Sequence, residues 1–511
     1  MSKQHSEDLF HLIKSLSRTE KRYFKVFAGN TNSNNSILLF DYIDSLEKYD
    51  EGILKKKIKD NSITKHLSTN KKRLYESLMK SLSVYHSNSS IDAKLMKGLH
   101  NVEILYKKAL YTLSLKELKQ VRELAEEYAK NTILMEVNRW EKLLLEKDNY
   151  ENIEVSDIDL ILEFDQEISD KVHLYNKLWN TKSHVFYSLN RKGKPRSSEE
   201  LEKFKGFIDK NLLQIEKQHH THETQYLFHH IYSAYYFSIG DYQNCYDHLK
   251  KNIEHIESNQ KLFEEEPNIY FSILTNAIYI SSSLKKYNES FTILTKLRTF
   301  KKKVEKQKNE DLSLKLFSST YSIELSLYSM RGDFEKGVKI VPEIITGIKK
   351  YQSHLNSVRK AYFYFKIAEM YIGTNNFNEA QKWINKLLND IDISEKEDIF
   401  CFAKLLNLII YIELENDRLI PYALKSAYRY LKSRNRVYKF ETIVFKFIRK
   451  VLRVKTDKQL DKAYHYLNDE LTILKRDDFE KNAFEYFDFQ TWAESKITGE
   501  SFNKLIKKKN Q

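Results

Sequence analysis

Four serines, Ser319, Ser322, Ser326 and Ser329, follow one another at steps of three, four and three residues. On a helix that spacing lines them along one face. A row of hydroxyls is suited to hydrogen-bonding a peptide backbone, because each offers a donor and two lone pairs. Ser272, Thr275, Tyr279 and Ser282 make a similar row upstream, and Tyr362, Phe365, Glu369 and Ile372 a third row downstream. The aromatic members of these rows could supply side-chain pockets. The same small residues would equally let neighbouring helices pack closely, so spacing alone leaves packing and binding open.

A second cluster is basic. Between Lys425 and Lys458 there are twelve Lys or Arg and two acidic residues. At about 100° per residue, Lys439, Lys446, Arg449, Lys450 and Arg453 fall on one side of a helix expected near 438–454. Val444, Phe445, Ile448, Val451 and Leu452 fall opposite. A segregated stripe of this kind can hold phosphates or an acidic protein segment; an ordinary solvated face is the alternative.

Other chemistry is weakly represented. The stretch from Ser68, STNKKRLYESLMKSL, faintly resembles the second helix of a helix-turn-helix, which would turn Asn70, Lys71, Arg73 and Tyr75 toward DNA. A helical capping bundle is the simpler expectation for that region. His219, His220, His222, His229 and His230 invite a metal reading, and His219, His222 and Glu223 could share one helical side. A metal site needs three or four convergent ligands with supporting partners, and nothing nearby completes one, so surface histidines are expected and no metal. There is no phosphate-cradling Gly-rich loop, no H-E-x-x-H and no G-x-S-x-G. Glu264–Glu266 read as a solvated loop. No catalytic residue and no cofactor are expected.

The elements that must position these residues are helical. Only 11 Gly and 4 Pro punctuate 511 residues, too few for a turn-rich β architecture. Tyr (34) and Phe (29) are abundant and supply large buried area for helix-on-helix packing. Cys245 and Cys401 are the only cysteines, each inside an expected helix, which points to a reducing compartment without a disulfide framework. The N-terminal MSKQHSEDLF lacks an apolar signal core. The longest uncharged run, Pro267–Leu284, carries Ser, Thr and Asn and makes a poor membrane span. A soluble cytoplasmic protein is expected, with no membrane partner. The net charge of +14 (85 basic minus 71 acidic) favours acidic partners without requiring nucleic acid.

An aromatic anchor recurs at Tyr242, Tyr287, Phe334 and Phe377, at steps of 45, 47 and 43 residues. Three residues after each stands a small side chain (Cys245, Ser290, Gly337, Ala380) and seven after each an aliphatic one (Leu249, Leu294, Val341, Ile384). Asn252, Leu297, Ile344 and Leu387 continue the stripe at helical spacing. Two residues before each anchor come Gly240, Lys285, Gly332 and Asn375, a position where Gly and Asn tolerate the left-handed conformation that closes a helix. An earlier copy is anchored at Tyr111, with Ser114, Leu118 and Val121, and a weaker later one has Ile420, Ala423, Ala427 and Tyr430.

This small–aromatic–small pattern around a helical hairpin resembles the tetratricopeptide repeat, with Ala368, Tyr371, Phe377 and Ala380 at the signature positions. The period here is longer than that family's roughly 34 residues, as longer helices or inter-repeat loops would make it. The chain also resembles large helical-repeat proteins of Bacteroidota in overall texture. The resemblance implies an all-α right-handed superhelix (an α-α solenoid) that presents its first helices along a groove. It places the three hydroxyl and aromatic rows in that groove, and it implies a protein or peptide partner, which the basic balance of the chain expects to carry an acidic segment. If the N-terminal unit were a helix-turn-helix, the plan would be similar to bacterial peptide-sensing regulators, with nucleic acid as partner.

The expected organisation is an N-terminal helical bundle at 1–90, the repeat array at 91–470, and a C-terminal cap and basic tail at 471–511. Ser17 and Glu20 make an S-x-x-E capping box opening a helix with Tyr23, Phe24, Val26 and Phe27 as apolar positions. Gly29–Asn35 and Asn190–Ser198 read as loops. The aromatic segment Phe479–Trp492 is expected to cap the last repeat, and Lys507–Lys509 to be a disordered tail.

Overall fold

The computed structural model describes residues 3–30, 34–58, 61–147, 150, 154–192, 195, 198–213, 215, 221–306, 310–352, 354–390, 397–477, 480, 483–484 and 486–510. Among these residues there are 26 helices and no strand. The fold is all-α, and helices pack against their chain neighbours in succession. The chain divides into two compact units, Met1–Asn180 with Gln214–Gln225, and Thr181–Leu213 with Tyr226–Gln511.

The first unit carries α1 (Lys3–Ser15), α2 (Arg18–Asn30), α3 (Asn34–Asp44), α4 (Glu51–Lys57), α5 (Asn61–Lys65), α6 (Leu67–Tyr85), α7 (Ile91–Lys107), α8 (Tyr111–Glu127), α9 (Asn131–Lys147) and most of α10 (Val155–Lys192). The Ser17 box closes as the spacing predicts. The Ser17 N–H donates to Glu20 Oε2 at 2.7 Å and the Glu20 N–H to Ser17 Oγ at 3.2 Å. One core gathers Phe24, Phe40, Leu74 and Leu78 from α2, α3 and α6; another gathers Leu95, Val102, Val137 and Trp140 from α7 to α9.

Two expectations for this unit fail. Val26 is exposed, because α2 turns only Phe24 and Ala28 into the core. Lys71, read as a possible DNA contact, is only 2 % exposed. Its ammonium donates to Tyr49 Oη at 2.6 Å and to Glu51 Oε2 at 2.8 Å. The Lys71 bond to Glu51, with one from Lys55, holds the Glu51 carboxyl down at about 2. Asn70 donates to the Ile63 carbonyl. Arg73 and Tyr75 alone of the four remain exposed, so the helix-turn-helix reading loses its central cation to an internal ion pair.

The second unit continues with the end of α10, then α11 (Ser198–Leu212), α12 (His222–Ile239) from Tyr226 onward, α13 (Tyr242–Ser258), α14 (Gln260–Phe263), α15 (Pro267–Ser283), α16 (Tyr287–Lys306), α17 (Glu310–Arg331), α18 (Phe334–Lys350), α19 (Ser357–Gly373), α20 (Phe377–Asp390), α21 (Glu397–Glu413), α22 (Ile420–Lys432), α23 (Lys439–Val451), α24 (Asp457–Leu474), α25 (Phe489–Thr498) and α26 (Phe502–Lys509). Each anchor aromatic is the first residue of a second helix. The residue two before it is left-handed every time: φ is +80° at Gly240, +58° at Lys285, +67° at Gly332 and +57° at Asn375. The next N–H then reaches back to close the first helix. Asp241 donates to the Tyr236 carbonyl, Lys286 to Ser281, Asp333 to Tyr328 and Asn376 to Tyr371, at 2.8–3.0 Å. This is a Schellman-type closure, which satisfies carbonyls that a helix end otherwise leaves open.

The small residue after each anchor is buried, and at Gly337 it faces Met370 on the first helix of the next hairpin. Cys245, Ser290, Gly337 and Ala380 are all closed to solvent, and a Cβ added to Gly337 would lie 2.2 Å from Met370 Sδ. First helices also touch first helices: α15 meets α17, α17 meets α19, α19 meets α21 and α21 meets α23. Tyrosine phenols tie neighbouring helices together by donating to carboxylates, Tyr246 to Glu289, Tyr270 to Glu257 and Tyr321 to Glu343, each at 2.6–2.7 Å. Burial and the bonded carboxylate both raise those phenol pKa values. The abundant tyrosine is thus partly structural. Cys245 and Cys401 are both buried in the interior. Among the described residues no helix is long and apolar enough to cross a membrane.

The C-terminal segment departs from expectation. Lys507–Lys509 lie in α26, an ordered helix, and each is ion-paired: Lys507 to Asp333, Lys508 to Glu500 and Lys509 to Glu494. The aromatic segment does shield the last helices. Trp492 sits edge-on to Phe447 and Tyr464 and donates to Glu413 Oε1. It also runs back along the earlier repeats, where Tyr486 meets Phe365 and Phe502 stacks on Phe334. Residues 31–33, 193–194, 196–197, 479, 481–482 and 485, and with them parts of the two expected loops and of the aromatic segment, lie outside the described residues.

Candidate functional site

A chamber of about 1030 Å³ opens in the second unit. Its walls come from four successive first helices, α15, α17, α19 and α21, and from the C-terminal segment. Thr275, Tyr279 and Ser282 line it from α15, Ser322, Ser326 and Ser329 from α17, and Tyr362, Phe365 and Glu369 from α19. These nine belong to the three rows read from spacing. Ser272 is exposed outside the chamber, where its carbonyl accepts from Thr275 Oγ1, and Ser319 is half-buried outside it.

The reason these residues converge is periodic. The rows recur once per hairpin, and successive first helices pack side by side, so equivalent faces are brought into one wall. Local bonds decide what each can offer. Ser326 Oγ and Tyr362 Oη are 2.8 Å apart, bridging α17 and α19. Ser329 donates to Glu369 Oε1 at 2.6 Å, and Lys366 Nζ donates to Glu369 Oε2 at 2.7 Å. Both members of the Lys366–Glu369 pair are buried. Thr275 and Ser282 donate to carbonyls of their own helix, which leaves their oxygens free to accept.

Three members of the third row therefore differ from the surface role assigned to them, and one of them, Ile372, is 1 % exposed and off the chamber wall. Phe365 is only 1 % exposed, because Tyr486 from the C-terminal segment covers it. Glu369 is held in an internal ion pair rather than presented to a ligand. Tyr279 is the opposite case, at 57 % exposure, and is the most accessible aromatic on the wall. The far wall was missed by reading the repeats alone. Phe484, Tyr486, Phe487, Phe502, Ile506 and Asn510 complete the chamber, with Arg436 and Lys475 beside them. The signal for α26 was present as Phe502, Leu505 and Ile506 at helical spacing, beneath a run of lysines.

The basic stripe lies elsewhere. α23 buries Phe440, Ile443, Val444, Phe445, Phe447 and Ile448, and Lys446, Arg449 and Lys450 face solvent. Arg453 is exposed just past the helix end, and Leu452 is exposed too because the helix has already stopped. Lys439 is drawn aside by Asp477 at 2.6 Å, which raises its pKa. Arg449 sits over the Tyr428 ring at 5.5 Å and Lys450 over Tyr466 at 4.4 Å.

Of the histidines, His219 and His220 lie outside the described residues. His230 is stacked between Phe186 and Tyr226, and its enclosed Nδ1 has no hydrogen-bond partner among the described residues. Burial, helped by nearby Lys182, pushes its pKa down to about 4. His229 and His248 approach Nδ1 to Nδ1 at 3.0 Å, with His248 also stacked on Tyr232 and Tyr236. Among the described residues no three His, Cys, Asp or Glu side chains converge as metal ligands would. A smaller cavity of about 420 Å³ lies beside Phe263, Tyr270 and Phe300, where Lys296 and Lys303 pair with Glu257 and Glu264. No protein-family model matches this chain, and no functionally characterised protein matches its sequence.

Proposed function

We propose that this chain is a non-enzymatic binding scaffold, similar to tetratricopeptide-repeat adaptors, that receives a peptide or protein segment in the chamber of its second unit. The observation that carries this reading is the make-up of the wall. Three consecutive first helices, α15, α17 and α19, contribute equivalent positions (Thr275, Ser322 and Phe365; Tyr279, Ser326 and Glu369), so a ligand would run across repeats and be read by several side chains at once. At about 1030 Å³ the chamber lies at the upper end of small-molecule pockets, which suits a run of residues better than a metabolite. Hydroxyl oxygens along the wall can accept from a peptide backbone, and Tyr279 supplies an exposed ring. Arg436 and Lys475 at the margin, with an overall charge of +14, favour a segment carrying acidic residues. A cytoplasmic setting fits two buried cysteines far apart in the chain.

The test compares affinity purifications from the native cell, with nuclease treatment, for the wild type, Ser326→Arg and Tyr279→Ala, each verified as folded by circular dichroism. Ser326→Arg fills the chamber, so the partner bound by wild type is expected to be lost, with at least ten-fold depletion. Retention of every partner by both variants refutes the reading.

One observation favours a second reading, nucleic-acid association through α23. Lys446, Arg449, Lys450 and Arg453 are all exposed, cluster at the end of one helix, and have no carboxylate partner among the described residues. Exposed, unneutralised cations near tyrosine rings suit a phosphate backbone with stacked bases. Reversing Lys446, Arg449 and Lys450 to Glu should abolish binding that weakens steeply with salt; unchanged retention of DNA and RNA excludes it.

A further inference from the structure

The chamber has an occupant on one side already, and the way it is held indicates what else would fit. α26 is eight residues long. A helix of that length is not stable alone in water, so it is helical because it is docked. Its apolar face is Phe502, Leu505 and Ile506, all buried. Phe502 stacks on Phe334 at 5.5 Å and packs beside Phe487 at 5.4 Å.

The seat is shaped for a helix backbone. Gly332 closes α17 in the left-handed conformation, and a Cβ there would lie 2.8 Å from the Asn503 carbonyl oxygen and 3.3 Å from Ile506 Cβ. Around it the seat reads polar groups of α26 one by one. Asn510 Nδ2 donates to the Met330 carbonyl at 2.7 Å, and Tyr287 Oη donates to Asn510 Oδ1 at 3.3 Å. Asn503 Nδ2 donates to Glu335 Oε1 at 3.2 Å, and Lys507 lies 3.7 Å from Asp333. These partners stand 168 to 223 residues away in the chain.

The attachment of α26 differs sharply from that of α25. α25 is fixed through the buried Trp492, bonded to Glu413 and wedged between Phe447 and Tyr464. Between the two helices stands Gly499, left-handed at φ +71° with open space around it. Rotation at 499–501 would release α26 by breaking the Lys509 bonds to Thr491 and Glu494 of α25, while the Trp492 anchor keeps α25 in place. Release would uncover the chamber wall that Phe502, Ile506 and Asn510 now close.

We infer that the α26 seat is a recognition site for a short amphipathic helix with an aromatic residue at its first position, aliphatic residues three and four places on, a cation at the sixth and an amide at the ninth, and that a partner segment of this pattern enters the chamber by displacing α26. This rests on the peptide-binding reading of the chamber. It goes further in naming the pattern recognised and the internal competitor. Charge complementarity supports the cation, since Asp333 and Glu335 edge the seat.

The test uses a fluorescent synthetic peptide of residues 500–510 with the full-length chain. Against the wild type it should bind weakly, because the tethered α26 competes. Against full-length Phe502→Ala/Ile506→Asp, whose own α26 no longer docks, it should bind at least ten-fold more tightly. The peptide carrying the same two substitutions should not bind. Binding to neither protein, or equally to both, overturns the inference. If the double variant does not fold, hydrogen exchange on the wild type decides: amides of 503–509 should exchange at least 100-fold faster than those of α25, and equal protection overturns it. The probe is defined, so its result is independent of the cellular pull-down. A peptide that binds while Ser326→Arg keeps every partner leaves the seat standing and removes the chamber reading. The reverse outcome removes the seat alone.

Discussion

Replacing Gly373 by alanine tests the packing on which the repeat geometry depends. Gly373 ends α19, and an added Cβ would lie 2.0 Å from Phe334 Cγ and 2.3 Å from both Cδ atoms. Carbon atoms pack at about 3.5–4.0 Å, so the ring or the helix must shift by about 1.5 Å. The ring has little room, since Phe334 is 1 % exposed and stacked on Phe502. Overpacking of this kind costs about 1–3 kcal/mol, and alanine's better helix propensity returns at most about 1 kcal/mol, less at a helix end. The net expectation is a loss of about 1–2 kcal/mol. Gly206 is the control: it lies inside α11, with nothing within 4 Å of an added Cβ. Gly206→Ala should therefore stabilise by about 0.5–1 kcal/mol. Urea unfolding followed by circular dichroism measures both, and both sites lie in the second unit. A Gly373→Ala protein as stable as Gly206→Ala would refute the wedge of Phe334 against α19.

Further outcomes follow from the buried charges and thiols. His230 is held neutral, with its pKa depressed from 6.5 to about 4. The unfolded chain binds the extra proton first, so this stability is fully present above pH 6.5 and is lost as pH falls toward 4, up to about 3 kcal/mol; His230→Phe should flatten that part of the urea-midpoint profile against pH. In the first unit, Glu51→Gln should destabilise by about 1–2 kcal/mol because it strands the buried Lys71 ammonium, discounted because Glu51 itself is part-exposed. Lys71→Met should cost less, and thermal unfolding compares the two. The Glu51 contribution is present above pH 4.5 and fades as pH falls toward 2, since its carboxyl is depressed to about 2. Cys245 and Cys401 should resist a thiol reagent in the native protein and react together on unfolding, as both are buried.

The hairpins were legible because their determinants are local. A left-handed residue, an aromatic two places on and a small residue three beyond that all act within one turn, so Gly332, Phe334 and Gly337 announce the geometry that the structure contains. The three rows were legible for the same reason, since a face at helical spacing repeats with the hairpin. What could not be read is long-range. Lys71 looks like a surface cation until Tyr49 and Glu51 arrive from 20 or more residues away. Glu369 looks available until Lys366 and Ser329 enclose it. The lysines of α26 looked like a loose tail: Lys507 finds Asp333 far away in the chain, while Lys508 and Lys509 pair with Glu500 and Glu494 only once α26 folds back beside α25. The basic stripe was half-legible: α23 segregates its faces as the 100° rule implies, but Lys439 and Arg453 leave the stripe, one for Asp477 and the other past the helix end.

The most direct measurement of the central claim places a photo-crosslinking phenylalanine analogue at position 279, on the chamber wall, and at position 422, where Tyr422 is 75 % exposed and outside the chamber. After irradiation in the native cell, mass spectrometry identifies what each site captures. A polypeptide captured reproducibly at 279 and absent at 422 is the predicted result. No capture at 279, or the same captured set at both sites, contradicts a binding chamber.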